Sequence, residues 1–264
     1  MTTPYMAAGN LVRVYPAAEP TGAALVWAHG GAFVHGTIDM AESDWVGREL
    51  AAHGITVVSV DYRLTTETAH HYPAASDDML AAWAWTREHA DDLGIDPHRI
   101  ALGGTSAGGN LAAGAALRLQ GHSAPPALMV LAYPTLLAEQ PAPTGELREK
   151  LRASDDPNRF ATDRVRSMYE FYLGGPVENA PVPAVPGLAS DEQLAEFPPT
   201  IMINDDIDEL RVSGEHFAAR LAALGRDIEV VVEPGTTHGH LNHPEEGTAA
   251  QDSIRRIVAR MERL

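Results

Sequence analysis

A serine, an aspartate and a histidine stand where they could form a nucleophile, its base and the acid that orients the base. Ser106 lies in Gly104-Thr-Ser-Ala-Gly108, a Gly-x-Ser-x-Gly frame that lifts a hydroxyl out on a sharp strand-to-helix turn. A serine hydroxyl is a poor nucleophile at neutral pH and needs a neighbouring base held in one tautomer by an acid. Downstream come Asp205, Asp206, Asp208 and Glu209, and then Pro234-Gly-Thr-Thr-His238-Gly-His240. This is the chain order Ser, Asp, His expected when the acid follows a later strand than the serine and the histidine follows the last strand. Asp208 is the preferred acid because it is the last aspartate before a helix starting near Arg211. Asp205 and Asp206 remain alternatives, or could cap that helix. His238 is preferred to His240 because it comes first after its strand and is flanked by the turn-forming Pro234, Gly235 and Gly239.

Acyl transfer also needs donors for the oxyanion of the tetrahedral intermediate. His29-Gly-Gly-Ala-Phe33 follows an apolar run directly, and a glycine-rich turn there can present backbone N–H groups toward Ser106. The predicted donors are Gly31, Ala32 and Ala107, the last being the residue after the nucleophile. A metal site built from His238, His240 and His243 is the competing use of the same region. It lacks the two histidines at i, i+4 with an intervening glutamate that mark zinc hydrolase helices. Gly103-Gly104 and Gly108-Gly109 lack the lysine of a phosphate loop. The expectation from these residues is therefore no metal site and no phosphate loop.

The elements that must position these residues read as an alternation. Apolar runs at Leu11–Tyr15, Ala24–Ala28, Thr56–Val60, Arg99–Gly103, Ala127–Tyr133, Thr200–Asn204 and Ile228–Val232 are predicted strands, most of them buried on both faces. Helices with three- and four-residue apolar spacing are predicted at about 41–53, 73–92, 107–120, 211–224 and 247–262. The alternation implies a mostly parallel sheet flanked by helices. Both the acid and histidine clusters then fall at carboxyl ends of strands, where open α/β sheets place ligands. Residues 136–199 break the pattern with two predicted helices, Glu146–Ala153 and Ala161–Leu173, and a run of prolines. A stretch this long without a strand is expected to be a cap or lid inserted in a single domain spanning 1–264.

Composition narrows the function class. The 264 residues are 45% hydrophobic, enough for one large core, and the formal net charge is −17. That charge argues against nucleic acid, anionic membranes and highly anionic substrates as partners. There is no cysteine, which excludes disulfides and a thiolate nucleophile. The first ten residues carry neither a basic nor an apolar leader pattern, so a cytoplasmic location is expected.

Taken together, His29-Gly-Gly-Ala32, Asp61-Tyr-Arg-Leu64, Tyr72-Pro-Ala-Ala-Ser-Asp-Asp78, Gly104-Thr-Ser-Ala-Gly-Gly-Asn110, Asp208-Glu-Leu-Arg211 and His238-Gly239 resemble the hormone-sensitive-lipase-like esterases of the α/β-hydrolase fold. The resemblance runs over roughly residues 24 to 264. It implies a Ser106, Asp208, His238 triad, an oxyanion hole from the His-Gly-Gly loop plus Ala107, no cofactor, and hydrolysis of small acyl esters. It also leaves a homodimer open. The last glycine of the usual His-Gly-Gly-Gly loop is here Ala32, and Asp208-Glu-Leu-Arg-Val212 replaces Asp-Pro-Leu-Arg-Asp. Only about two dozen residues precede Ala24, where the family places a helical cap, so the cap is expected mainly from 136–199 and the pocket is expected to be open.

The function expected is a serine carboxylesterase acting on short acyl, acetyl-like esters. On the same triad the alternatives are an amidase, arylformamidase or peptidase, because the triad does not choose the leaving group. A non-catalytic small-molecule receptor of the same fold is the other class. The C-terminal helix, with Ile254, Ile257, Val258 and Met261 on one side, is expected to cover its own sheet rather than an interface.

Overall fold

A computed structural model describes residues 2–121 and 125–264. Eight strands form one sheet in the order β1-β2-β4-β3-β5-β6-β7-β8. They are β1 (Tyr5–Ala7), β2 (Val12–Tyr15), β3 (Ala24–Ala28), β4 (Thr56–Val60), β5 (Ile100–Thr105), β6 (Leu128–Ala132), β7 (Thr200–Ile207) and β8 (Ile228–Thr237). From β4 to β8 the neighbours run parallel, and β1 and β2 are added antiparallel at one edge. This is the α/β-hydrolase architecture. The central strands β3 to β6 are buried along their whole length, as their unbroken apolar runs require when helices cover both faces. The edge strands β1 and β8 are partly exposed. The three-residue β1 escapes a sequence reading because it has no room to show a period of two.

The helices are α1 (Ala41–Ala52), α2 (Ala74–Glu88), α3 (Ser106–Arg118), α4 (Gly145–Ala153), α5 (Thr162–Leu173), α6 (Asp191–Ala195), α7 (Arg211–Ala223) and α8 (Ala249–Met261). Two apolar clusters line the faces of the sheet. One joins α2, α3 and α5 to Val26, Leu102 and Leu131. The other packs Ile254, Ile257, Val258 and Met261 of α8 against Trp27, Leu25 and Val130, so the C-terminal helix covers its own sheet. Burying each such aliphatic side chain contributes about 1.5–3 kcal/mol. Between β6 and β7 there is no strand among the described residues; the chain forms α4, α5, three short 3-10 turns and α6. Asn110 pins this segment to α3, its Nδ2 lying 3.0 Å from the Thr135 carbonyl, 2.8 Å from the Tyr169 hydroxyl and 3.2 Å from the Ala184 carbonyl. Among the described residues no helix is long and apolar enough to cross a membrane.

Two strands are longer than their apolar runs suggest. β7 continues through Asp205 and Asp206 to Ile207, and β8 continues through Pro234 and Gly235 to Thr237. The pairs Asp205↔Glu233 and Ile207↔Thr237, separated by a bulge, carry the ladder past the ends of the two apolar runs. Pairing thus overrides the low strand preference of Asp, Pro and Gly. The acids Asp205 and Asp206 lie within the strand, not after it.

Candidate active site

The strand β5 ends at Thr105 and α3 begins at Ser106, whose φ is +49°. A non-glycine residue in the left-handed region is strained. The turn can be this tight because Gly108 lets the helix approach β3: a Cβ there would stand 2.2 Å from the Ala28 carbonyl oxygen. The consequence is a serine 8% exposed, at the mouth of a cavity and at the N-terminus of a helix.

His238 follows β8 directly, and Asp208 follows β7. The His238 Nε2 lies 3.0 Å from Ser106 Oγ, and its Nδ1 lies 2.7 Å from Asp208 Oδ2. The other Asp208 oxygen accepts the Leu210 N–H at 3.0 Å, which fixes the carboxylate in rotation. The three side chains selected from the sequence are thus joined in one hydrogen-bonded chain. Burial works against a charged His238 imidazolium, but the charge and hydrogen bond of Asp208, with the charge of Asp205 behind it, outweigh burial and hold its pKa above the ordinary 6.5. Arg159 opposes this weakly.

The alternatives considered for these roles have other partners. Asp205 accepts the Gly239 N–H at 2.8 Å and binds His240 Nδ1, while His240 Nε2 lies 2.8 Å from Ser253 Oγ. Asp206 pairs with Lys150 at 2.8 Å and with Arg211 at 3.2 Å, and takes the Gly235 N–H at 3.0 Å. Neither acid caps α7, the alternative offered by the sequence: Asp205 is taken up by the loop after β8, and Asp206 by Lys150, Arg211 and the Gly235 N–H. His243 is exposed, 3.4 Å from Glu246. The three histidines of the competing metal reading therefore face three different partners.

Gly31 has φ +116° and Ala32 +53°, and a Cβ on Gly31 would stand 2.1 Å from the His35 carbonyl oxygen. Both residues line a cavity of about 370 Å³ together with Ser106 and His238. Among the described residues no acceptor takes the N–H of either. Ala107 is fully buried at the start of α3, where a helix has no internal acceptor for its N–H groups. The Tyr62 hydroxyl donates to the carbonyls of His29 and Gly30 at 3.0 and 3.2 Å, so Asp61-Tyr-Arg-Leu64 fastens the loop from behind. Arg159, Phe160 and Met168, from the 136–199 stretch, form one wall; Met40, His35 and Asn242 contribute others. A larger cavity of about 560 Å³ adjoins on the far side of the β8–α8 loop but contains neither Ser106 nor His238. Chemistry, not volume, singles out the smaller one.

Three partners here carry no sequence signal of their own. Glu42, Tyr133 and Asn242 are far apart in the chain and are brought together only by the fold. The Tyr133 ring packs roughly perpendicular to the His238 imidazole, centroids 5.1 Å apart.

A mostly parallel sheet of this order, with serine, acid and histidine at the ends of β5, β7 and β8, defines an α/β hydrolase. The family model described as the alpha/beta hydrolase fold matches residues 25–242, and the chain belongs to the hormone-sensitive-lipase-like branch of that fold. It is 35% identical to the Mycobacterium tuberculosis protein named Esterase LipI over 88% of this chain and 70% of that one. With the Ethyl acetate hydrolase of Pseudomonas putida it shares 33% identity over 86% of this chain and 70% of the relative. Among solved structures, a Bacterial Heroin Esterase superposes with TM-score 0.79 at 32% identity, covering 96% of this chain and 78% of that one. An esterase of Pyrobaculum calidifontis superposes with TM-score 0.81 at 30% identity, over 98% and 83%.

Proposed function

We propose that this carboxylic ester hydrolase works through Ser106, His238 and Asp208 on esters with short acyl chains. The observation that carries the reading is the unbroken Asp208–His238–Ser106 hydrogen-bonded chain opening on the cavity that Gly31 and Ala32 also line. His238 takes the Ser106 proton as the oxygen attacks the ester carbonyl. The N–H groups of Gly31, Ala32 and Ala107 hold the oxyanion, each such donor contributing about 3 kcal/mol. His238 then protonates the departing alcohol, and water, activated by the same imidazole, releases the acid from the acyl-enzyme. Asp208 keeps the imidazole in the tautomer with Nδ1–H and steadies its charge.

The preference for short acyl groups rests on size. A cavity of about 370 Å³ is at the low end of small-ligand sites, which run roughly 300–1,000 Å³, and it must hold both halves of the ester. Met40, Phe160 and Met168 supply its apolar walls. The test is a chromogenic ester series from acetate to decanoate, run beside Ser106→Ala and matched amides. The reading expects a maximum at short acyl chains, covalent labelling of Ser106, and amides cleaved far more slowly. A maximum at decanoate, or turnover unaffected in Ser106→Ala, overturns it; reversible binding without acylation would favour the receptor reading.

A further inference from the structure

Glu42 is a buried carboxylate, 2% exposed, that the reaction cycle above does not use. It lies in the first turn of α1 between the His29–Phe33 loop and the segment that follows His238. Its Oε1 accepts the Gly30 N–H at 2.6 Å, and its Oε2 accepts the Tyr133 hydroxyl at 3.0 Å and Asn242 Nδ2 at 2.8 Å. The backbone of Glu42 is tied as well: its N–H donates to Asn242 Oδ1 at 3.2 Å, and its carbonyl accepts Trp27 Nε1 at 2.7 Å. The amide of Gly30 and the NH₂ of Asn242 can only donate, so the group between them must be an acceptor on both oxygens. A buried carboxylate is tolerated when its lone pairs are filled in this way.

What the three donors gain is a fixed loop. Ala32 and Phe33 sit at φ +53° and +67°, and strained residues of this kind persist only where their surroundings over-determine them. Glu42 holds the N–H of Gly30, Tyr62 holds its carbonyl, and the Phe33 ring stacks on Tyr172 with centroids 4.0 Å apart. Anchoring on Gly30 leaves the next two N–H groups free to face the cavity. A Cβ added to Gly30 would stand 2.9 Å from Glu42 Oε1 and 3.0 Å from Ser106 Cβ, so carboxylate and nucleophile flank the same glycine. Through Asn242 the same carboxylate reaches the segment four residues past His238.

We propose that Glu42 is a positioning residue for the reaction: it clamps the Gly30–Ala32 backbone in the form that receives the oxyanion and locks that loop to the segment carrying the base. The inference rests on the reading of Gly31 and Ala32 as oxyanion donors. Glu42 touches no reacting atom, so its effect must appear in the transition state more than in substrate binding.

The experiment compares wild type, Glu42→Gln and Asn242→Ala by kcat and KM per titrated active site, by Ki for butylboronic acid, which forms a tetrahedral adduct on the nucleophilic serine, and by Tm. In Glu42→Gln an NH₂ group replaces one acceptor and confronts donors. The expected result is a kcat lowered about tenfold to hundredfold, KM within about threefold, and boronate Ki raised in step with the loss in kcat. Adding Asn242→Asp to Glu42→Gln restores a donor–acceptor match and should recover part of the kcat. If Glu42→Gln does not fold, Asn242→Ala carries the test with the same signature at smaller amplitude. A kcat and boronate Ki within twofold of wild type, whatever the Tm, overturns the inference, as does a loss confined to the titrated fraction. Should wild type itself neither cleave short esters nor bind the boronate, the esterase reading fails instead.

Discussion

Two Asp–His–Ser chains lie side by side in this molecule. Asp208, His238 and Ser106 are linked at 2.7 and 3.0 Å; Asp205, His240 and Ser253 are linked in the same order, the second step at 2.8 Å. Both acids come from the carboxyl end of β7 and both histidines from the turn after β8, and the Tyr133 ring packs roughly perpendicular to both imidazoles, with centroids 5.1 and 5.4 Å away. What separates them is the serine. Ser106 stands in a strained turn on a cavity with free backbone donors nearby. Ser253 is fully buried inside α8, and its hydroxyl is shared between His240 and Glu233 Oε1 at 3.2 Å, with Arg256 on the same oxygen at 3.0 Å. No carbonyl can reach it. The residue types that line a cavity in one place therefore make a structural clasp in the other: His240 ties the loop after β8 to Ser253 of α8, and the Gly239 N–H ties it to Asp205 of β7.

The comparison breaks most visibly on the serines. Ser106→Ala is expected to lower kcat/KM by about 10⁴-fold or more, whereas Ser253→Ala should keep turnover within about threefold and lose about 1–3 kcal/mol of stability as its partners go unpaired. Ester kinetics with a urea melt on both proteins measure this; equal losses of activity would erase the distinction. The acids come next. Asp208→Asn should cost about 10³- to 10⁴-fold in kcat through the wrong imidazole tautomer. Asp205→Asn should cost about tenfold, by loosening the Gly239 anchor.

The pH profile sharpens the contrast further. The base must be neutral to accept the Ser106 proton, and Asp208 and Asp205 hold its pKa above 6.5 against burial, so kcat/KM should rise with pH to a plateau with its midpoint above 6.5. Asp205→Asn removes one of the charges that favour the imidazolium and should move that midpoint down. A midpoint unmoved by Asp205→Asn would mean that the two chains are not electrostatically joined. The smallest effect belongs to Arg159, whose positive charge disfavours the imidazolium: Arg159→Ala should move the midpoint slightly up, best seen at low ionic strength, where screening is weak.

Much of this was legible before any fold was known, and the reasons differ from residue to residue. The central strands announce themselves because a parallel strand covered on both faces must be apolar throughout. Ser106 is marked by glycines that a tight elbow needs, and chain order and turn residues favour Asp208 and His238 over their neighbours without fixing how acids and histidines pair. Asp205 and Asp206 carry a misleading local signal. Their polarity ends the apolar run of β7, yet ladder pairing with β8 and the Gly239, His240, Lys150 and Arg211 partners keep them in the sheet. Local pattern cannot see a carboxylate whose donors arrive from another strand.

The sequence by itself determined the central strands, the main helices, the chain order of Ser106, Asp208 and His238, and the glycine loop near them, because each is written in local spacing of apolar, turn-forming and glycine residues. The tertiary structure alone decided which of two neighbouring acids faces which histidine, which serine is reachable, and that Glu42, Tyr133 and Asn242 meet. Those outcomes depend on distances between segments up to 200 residues apart, and burial and hydrogen-bond satisfaction are settled only when the strands and loops that supply the partners have packed.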